Sequence, residues 1–182
     1  MIALAGRRID APDADSSRFP LENVPLVRRR LATLFSTEHA EALVCSAACG
    51  ADLIALEEAE QLGLRWRIVL PFPPKRFRET SVIDRPGEWG PVFDRLIAAA
   101  AATGDLVILH NRSGGHDAYE AANQAIIREA EALARAISNG SPPRLVAVIV
   151  WEGSARAETD ASSGLRNLAV QAGFEERSVL TQ

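Results

Sequence analysis

Small residues and arginines follow the first two short apolar segments of the sequence, where they could hold a phosphate-bearing ligand. Gly6 and Arg7 come directly after the first segment, and Ser46, Gly50 and Asp52 lie in a turn after the second. Glycine lets a backbone approach a ligand, an arginine fork suits a phosphate, and amides at a helix N-terminus favour an anion. Asp52 could hydrogen-bond a ribose hydroxyl of such a ligand. The structural alternative is that the glycines form turns, the arginine is solvated and Asp52 caps a helix.

A glycine-containing loop precedes the clearest helix of the sequence. Its candidate ligand-binding residues are Asn111, Arg112, Ser113, Gly114 and Gly115. Two adjacent glycines between a buried strand and a long helix can wrap a phosphate with backbone amides. The alternative is a connection that needs glycine only for its turn. His110 and His116 flank the loop and titrate near neutrality, but the sequence shows no partner for either, so we assign neither a catalytic role.

Further polar groups follow the fifth apolar segment. Glu152 ends that segment, and after an acidic stretch Ser162 and Ser163 precede an apolar helical pattern. Either serine is a natural N-cap for that helix, and the same hydroxyls could instead hold a second anionic group of a ligand.

Short apolar segments alternate with longer segments of helical period, which is typical of a parallel sheet with crossover helices. The expected strands are 2–5, 42–45, 67–70, 105–110, 145–151 and 177–180. The first expected helix begins near Pro25, and the other five cover 51–62, 76–82, 89–102, 116–137 and 163–172. The sequence therefore predicts an α/β fold, a single Rossmann-like domain over residues 1–182.

Six strands suit a doubly wound parallel sheet of order 3-2-1-4-5-6, in which a crevice opens between the first and fourth strands at their carboxyl ends. We therefore expect Gly6, Ser46, Asn111 and Glu152 near one edge of the sheet. The position of these residues, more than any single motif, locates the candidate site.

Composition narrows the class of protein. The chain has 182 residues, 47% of them hydrophobic and 24% charged, with a net charge of -4, so we expect no nucleic-acid or membrane partner. Cys45 and Cys49 form a C-x3-C pair without a nearby histidine, which is a poor zinc site, and no metal is predicted. No leader or membrane-spanning segment is evident, which indicates a cytoplasmic protein.

Residues 46–53 read SAACGADL, and residues 64–72 read LRWRIVLPF, continuing as PPKRF. These segments resemble the Smf/LOG-like Rossmann domains of the SLOG superfamily, where a GGARGAD-type turn precedes a helix and a strand leads into LPFPPxxF. The chain is most similar to uncharacterised bacterial members, and the resemblance covers nearly its whole length. It implies a nucleotide-related or ribosylated ligand in the crevice.

Enzymatic relatives, the cytokinin-activating phosphoribohydrolases, carry PGGxGTxxE after the fourth strand, whereas residues 113–121 here read SGGHDAYEA. Glu120 falls one place early, about 100° around a helix, so it does not replace the missing carboxylate. The leading hypothesis is a ligand-binding or sensor domain for a nucleotide-derived molecule, with no further cofactor. The second is a phosphoribohydrolase or N-glycosidase with a degenerate motif, using Glu120 or Glu152 with Arg78 or Arg112. The third is a homo-oligomeric scaffold with a vestigial crevice.

Overall fold

The computed structural model describes residues 1–109, 115–138, 142–153 and 161–182. The strands are β1 Ile2–Gly6, β2 Ala42–Cys45, β3 Arg65–Leu70, β4 Leu106–Ile108, β5 Val146–Trp151 and β6 Glu175–Leu180. The helices are α1 Val24–Thr37, α2 Ala51–Gln61, α3 Pro74–Ser81, α4 Trp89–Thr103, α5 His116–Ile137 and α6 Ala161–Gln171, and a short 3₁₀ helix, Leu21–Asn23, precedes α1.

The strands form one parallel sheet of six, which confirms the predicted α/β, Rossmann-like fold class. The predicted order was wrong, because the sheet runs β4-β3-β2-β1-β5-β6. On the side of β1 away from β2, the neighbouring strand is β5, with Ile2 opposite Val146, whereas β4 pairs with β3.

Burial explains the corrected order. All three residues of β4 are only partly buried, as expected for a strand at the edge of a sheet. The first five residues of β5 are fully apolar and buried, which suits a central strand covered on both faces. The sequence predicted six residues for the fourth strand and seven for the fifth, so length alone could not show which of them lies at the edge of the sheet.

The helices cover the two faces of the sheet unequally. Side chains alternate across β1, so that Leu4 packs into a core with α1 to α4 and Ala3 into a core with α5 and α6. The connections after β1, β2 and β3 thus lie on one face of the sheet, whereas α5, which connects β4 to β5, packs on the other face. The winding reverses between β1 and β5, so the crevice expected of a doubly wound sheet lies there.

Helix α6 begins two residues earlier than predicted, at Ala161. Ser162 and Ser163 therefore lie in its first turn rather than before it, which corrects the expectation that one of them is the N-cap. Within the described ranges, no helix is both long and apolar enough to cross a bilayer.

Candidate ligand-binding site

A cavity of about 270 Å³ lies at the carboxyl ends of β1 and β2. Its walls come from both faces of the sheet, with Phe77 of α3 on one side and Ala122 and Ile126 of α5 on the other. Leu4 and Gly6 of β1 also line it. A ligand site is usually concave and mostly apolar with a few convergent polar groups, and its volume is roughly 300–1,000 Å³. This cavity is slightly smaller than the lower limit of that range.

Polar side chains enter the same cavity from four elements. Ser46 follows β2, Asp52 lies in the first turn of α2, Ser81 ends α3, and Tyr119 and Asn123 lie in the first two turns of α5. Four of these side chains can both accept and donate hydrogen bonds. The fifth, Asp52, can only accept them when it is ionised and can also donate one when it is protonated. The cavity therefore has an apolar lining with a small set of hydrogen-bonding groups.

The hydroxyl groups of Ser81 and Tyr119 lie 3.0 Å apart, which joins the end of α3 to the beginning of α5 beside the cavity. The ring of Tyr119 meets Phe72 edge to face at 6.1 Å between centroids, and Phe72 in turn meets Phe77 at 5.8 Å. Aromatic contacts of this kind add stabilisation beyond that of area burial. The wall formed by α3 is thus anchored to α5.

Asp52 is the buried ionisable group of the cavity, with 6% of its surface exposed. Burial raises the pKa of its carboxyl group to about 7, although the N–H of Ala48 and the charge of Arg8 act in the opposite direction. The Ala48 N–H donates to Oδ2 at 3.1 Å. Gly50, not Asp52, is the N-cap residue of α2. Asp52 therefore stabilises the preceding turn from inside the helix, which differs from the predicted cap.

The turn before α2 uses its amides internally. Cys49 donates its backbone N–H to the carbonyl of Ser81 at 3.0 Å, and Ala51 donates to the carbonyl of Arg7 at 3.1 Å. Gly50 has a φ of +95°, and a Cβ there would lie 2.8 Å from the Arg7 carbonyl oxygen. These contacts give the glycine a packing role, and these amides support the fold instead of facing an anion.

Gly6 also permits close packing. A Cβ at this position would lie 2.4 Å from the Cβ of Ala51 and 2.6 Å from that of Val150, shorter than real contacts between such atoms. The absence of a side chain lets the beginning of α2 approach β1 and β5 at the edge where the cavity opens.

Arg7 and Glu152 form an ion pair between the ends of β1 and β5. Arg7 Nε donates to Glu152 Oε2 at 2.7 Å, and Arg18 Nη1 donates to Oε1 at 2.9 Å. The side chains of Arg7 and Glu152 are 10% and 8% exposed. Burial would raise the pKa of Glu152, but the hydrogen bond and charge of Arg7, with the charge of Arg18, lower it below the ordinary value. The two predicted site residues thus bind each other.

Arg8 also lines the cavity, and its guanidinium group is bound by residues next to it. Its Nη1 donates to the carbonyl of Thr80 at 3.2 Å, and its Nη2 pairs with Asp84. Burial lowers the pKa of Arg8, but Cys49 and Asp84 outweigh this effect and raise it. The positive charge that approaches Asp52 is therefore shared with another carboxylate.

The predicted residues divide into three groups: those that line the cavity or lie at the same edge of the sheet, those outside the described residues, and those elsewhere on the protein. Gly6, Ser46 and Asp52 line the cavity, and Glu152 lies at the same edge because β2, β1 and β5 are adjacent. Residues 110–114, which include Asn111, Arg112, Ser113 and Gly114, lie outside the described residues. Gly115 precedes α5 with a φ of +96°, Glu120 is exposed, and Ser163 is partly buried. Arg78 pairs with Asp94.

Sequence reasoning missed Phe77, Ser81, Tyr119 and Asn123 as site residues. Phe77 and Ser81 belong to the expected helix 76–82 and Tyr119 to the expected helix 116–137, and the sequence analysis assigned none of them to the site. Asn123 carried a partial signal as a polar residue within the helical pattern of α5, and the structure shows that it is only 6% exposed. Buried polar groups require partners, and such residues often belong to sites.

No family model matches the chain, and none of the curated proteins matches it. Among solved structures it is similar to DNA processing protein A (DprA) from Streptococcus pneumoniae, with 15% sequence identity and a TM-score of 0.43. The match covers 97% of this chain and 57% of that one. A similarity at this level assigns neither a family nor an activity, so the relation to the SLOG superfamily stays a prediction from the sequence motifs.

Proposed function

We propose that this chain is a ligand-binding or sensor domain for a nucleotide-derived, phosphate-bearing molecule. The observation that carries the proposal is the cavity beside the reversal of winding between β1 and β5. Ligands of open parallel sheets bind outside the carboxyl ends of the strands at such a reversal.

The lining supports a ligand with a flat apolar part and a few polar groups. Phe77 on one side and Ala122 and Ile126 on the other offer apolar walls, and Ser46 and Asp52 offer hydrogen bonds. A nucleobase has the same combination of features. Because the walls come from helices on opposite faces of the sheet, the space between them suits a planar group.

The first turns of α5 border the cavity, since Tyr119 and Asn123 line it. The N-terminus of a helix carries a partial positive charge and unpaired amides, which favour a phosphate. Gly115 and the predicted loop before it precede this helix end. In the proposal, the base enters the cavity and the phosphate lies toward the beginning of α5.

The hydrolase alternative receives less support from the two carboxylates named for it. Glu152 is held between Arg7 and Arg18, which lowers its pKa and disfavours transfer of a proton at neutral pH. Glu120 is exposed on α5, whereas its neighbour Tyr119 lines the cavity. We therefore propose binding without efficient turnover.

Thermal unfolding with a panel of nucleoside mono- and diphosphates tests the proposal. A ligand present at about 100 times its Kd adds about 2.7 kcal/mol of stability, which corresponds to a rise in Tm of roughly 5–10 °C for a protein of this size. The rise should disappear in Ala122→Phe, which fills the cavity, since Ala122 is 4% exposed and lines it.

Ala132→Phe is the matched control, because Ala132 is exposed on the same helix and lies outside the cavity lining. This variant should keep the response of the wild type. The proposal is wrong if no nucleotide shifts the Tm of the wild type, or if Ala122→Phe responds as strongly as the control.

A further inference from the structure

Asp52 is placed to distinguish one end of a ligand from the other. Its carboxyl group lines the cavity and is 6% exposed. Within the described ranges, its one hydrogen bond is the one from the Ala48 N–H to Oδ2. A carboxylate has about four lone-pair sites, so this group can accept further hydrogen bonds from a ligand.

Above about pH 7, where its carboxyl group is ionised, the charge of Asp52 excludes the phosphate from its surroundings. Two negative groups in a partly desolvated cavity repel each other more strongly than they would in water. Arg8, the cation that approaches Asp52, also pairs with Asp84 and donates to the Thr80 carbonyl. The neutral end of a phosphate-bearing ligand therefore lies at Asp52.

The cavity is long enough for both ends of such a ligand. Its lining on α5 runs from Tyr119 to Ile126, seven residues or about 10 Å along the helix axis. A phosphate at the beginning of α5 leaves room for a sugar and a base beyond it. In a nucleotide the base lies farthest from the phosphate, so the repulsion between the phosphate and an ionised Asp52 favours the base over the sugar as the part that meets the carboxyl group.

We infer that Asp52 accepts a hydrogen bond from the exocyclic amino group of a nucleobase and so determines which bases the site accepts. The inference rests on the proposed function and deepens it. Nucleotides with an amino-substituted base, namely those of adenine, guanine or cytosine, are then the preferred class. A base that lacks the amino group leaves a buried acceptor unpaired, which disfavours its binding.

Calorimetric titration with paired nucleotides, at about pH 8 so that Asp52 is mostly ionised, tests the inference. The pairs are adenosine and purine riboside monophosphates, guanosine and inosine monophosphates, and cytidine and uridine monophosphates. For the pair that binds, we expect the amino-bearing member to bind on the order of 10-fold to 100-fold more tightly to the wild type. Asp52→Ala should abolish this preference, and Asp52→Asn, which retains an acceptor oxygen, should keep part of it.

Glu79→Ala is the matched control, since Glu79 is an exposed carboxylate on α3 and does not line the cavity. It should leave both affinities unchanged. If nucleotides bind but the wild type shows no preference within any pair, or if the preference persists in Asp52→Ala, the inference is wrong and the proposed function stands. A 2′-deoxy nucleotide that loses as much affinity as the deamino analogue also overturns it, because Asp52 then contacts the sugar. If no nucleotide binds, the proposed function fails, and the inference fails with it.

Discussion

Replacing Asp52 by asparagine should make the stability of the protein less dependent on pH. The pKa of this carboxyl group is about 7 in the folded protein, compared with an ordinary value of 3.8. Between those two values the unfolded chain is ionised while the folded protein holds a proton. Raising the pH therefore favours unfolding in this window, and the effect levels off above the folded pKa.

The size of the effect follows from the difference between the two pKa values. One unit corresponds to 1.36 kcal/mol, so a shift from 3.8 to about 7 amounts to about 4 kcal/mol over the whole range. About 2–3 kcal/mol of this falls between pH 5 and pH 8. Asparagine has the same shape and does not ionise, and its amide oxygen can still accept the Ala48 N–H. The stability advantage of Asp52→Asn should therefore grow by that amount as the pH rises.

Urea unfolding of both proteins at intervals across this range measures the difference, with the slope of the free energy against urea checked for constancy. Glu79→Gln is the control, since it neutralises an exposed carboxylate and should show no such trend. A difference between wild type and Asp52→Asn that stays constant with pH would refute the reasoning, because the carboxyl group would then titrate as it does in the unfolded chain.

Four other predictions concern packing, charge and activity. Gly50→Ala should lower the free energy of unfolding by about 1–3 kcal/mol, because a Cβ would lie 2.8 Å from the Arg7 carbonyl oxygen and φ is +95°. Gly63→Ala is the control, since its φ is +69° but no atom lies within 4 Å of the added Cβ, and it should lower the free energy less. Equal losses for the two variants in urea unfolding would contradict this prediction. Glu152→Gln should lower the free energy of unfolding by roughly 3–5 kcal/mol, because it neutralises the carboxylate that pairs with buried Arg7, and a loss below about 1 kcal/mol in the same assay would argue against a buried pair. Nucleoside monophosphates incubated with pure protein should release free base slowly or not at all, and robust release measured by chromatography would make the domain an enzyme. Duplex DNA should bind with a Kd no lower than roughly 10⁻⁶ M at physiological salt. Tighter, salt-dependent binding would show that a net charge of -4 does not exclude a nucleic-acid partner.

Local patterns in the sequence predicted most of the elements. The bounds of β2 at Ala42–Cys45 and of α5 at His116–Ile137 agree with the prediction. Apolar periodicity and glycine positions act over a few residues, so they can be interpreted without knowledge of the rest of the chain. Gly6, Ser46 and Asp52, which were singled out because they follow the first two predicted strands, line the cavity.

Contacts between distant residues decided the rest. The sequence by itself determined six strands with helices between them, because each depends on neighbouring residues. Tertiary structure placed β5 instead of β4 beside β1, since strand pairing depends on which faces the whole chain can bury. It also joined Arg7 to Glu152, 145 positions apart, and turned two candidate site residues into an ion pair. The raised pKa of Asp52 has the same origin, because desolvation is a property of the folded surroundings and not of the residue type.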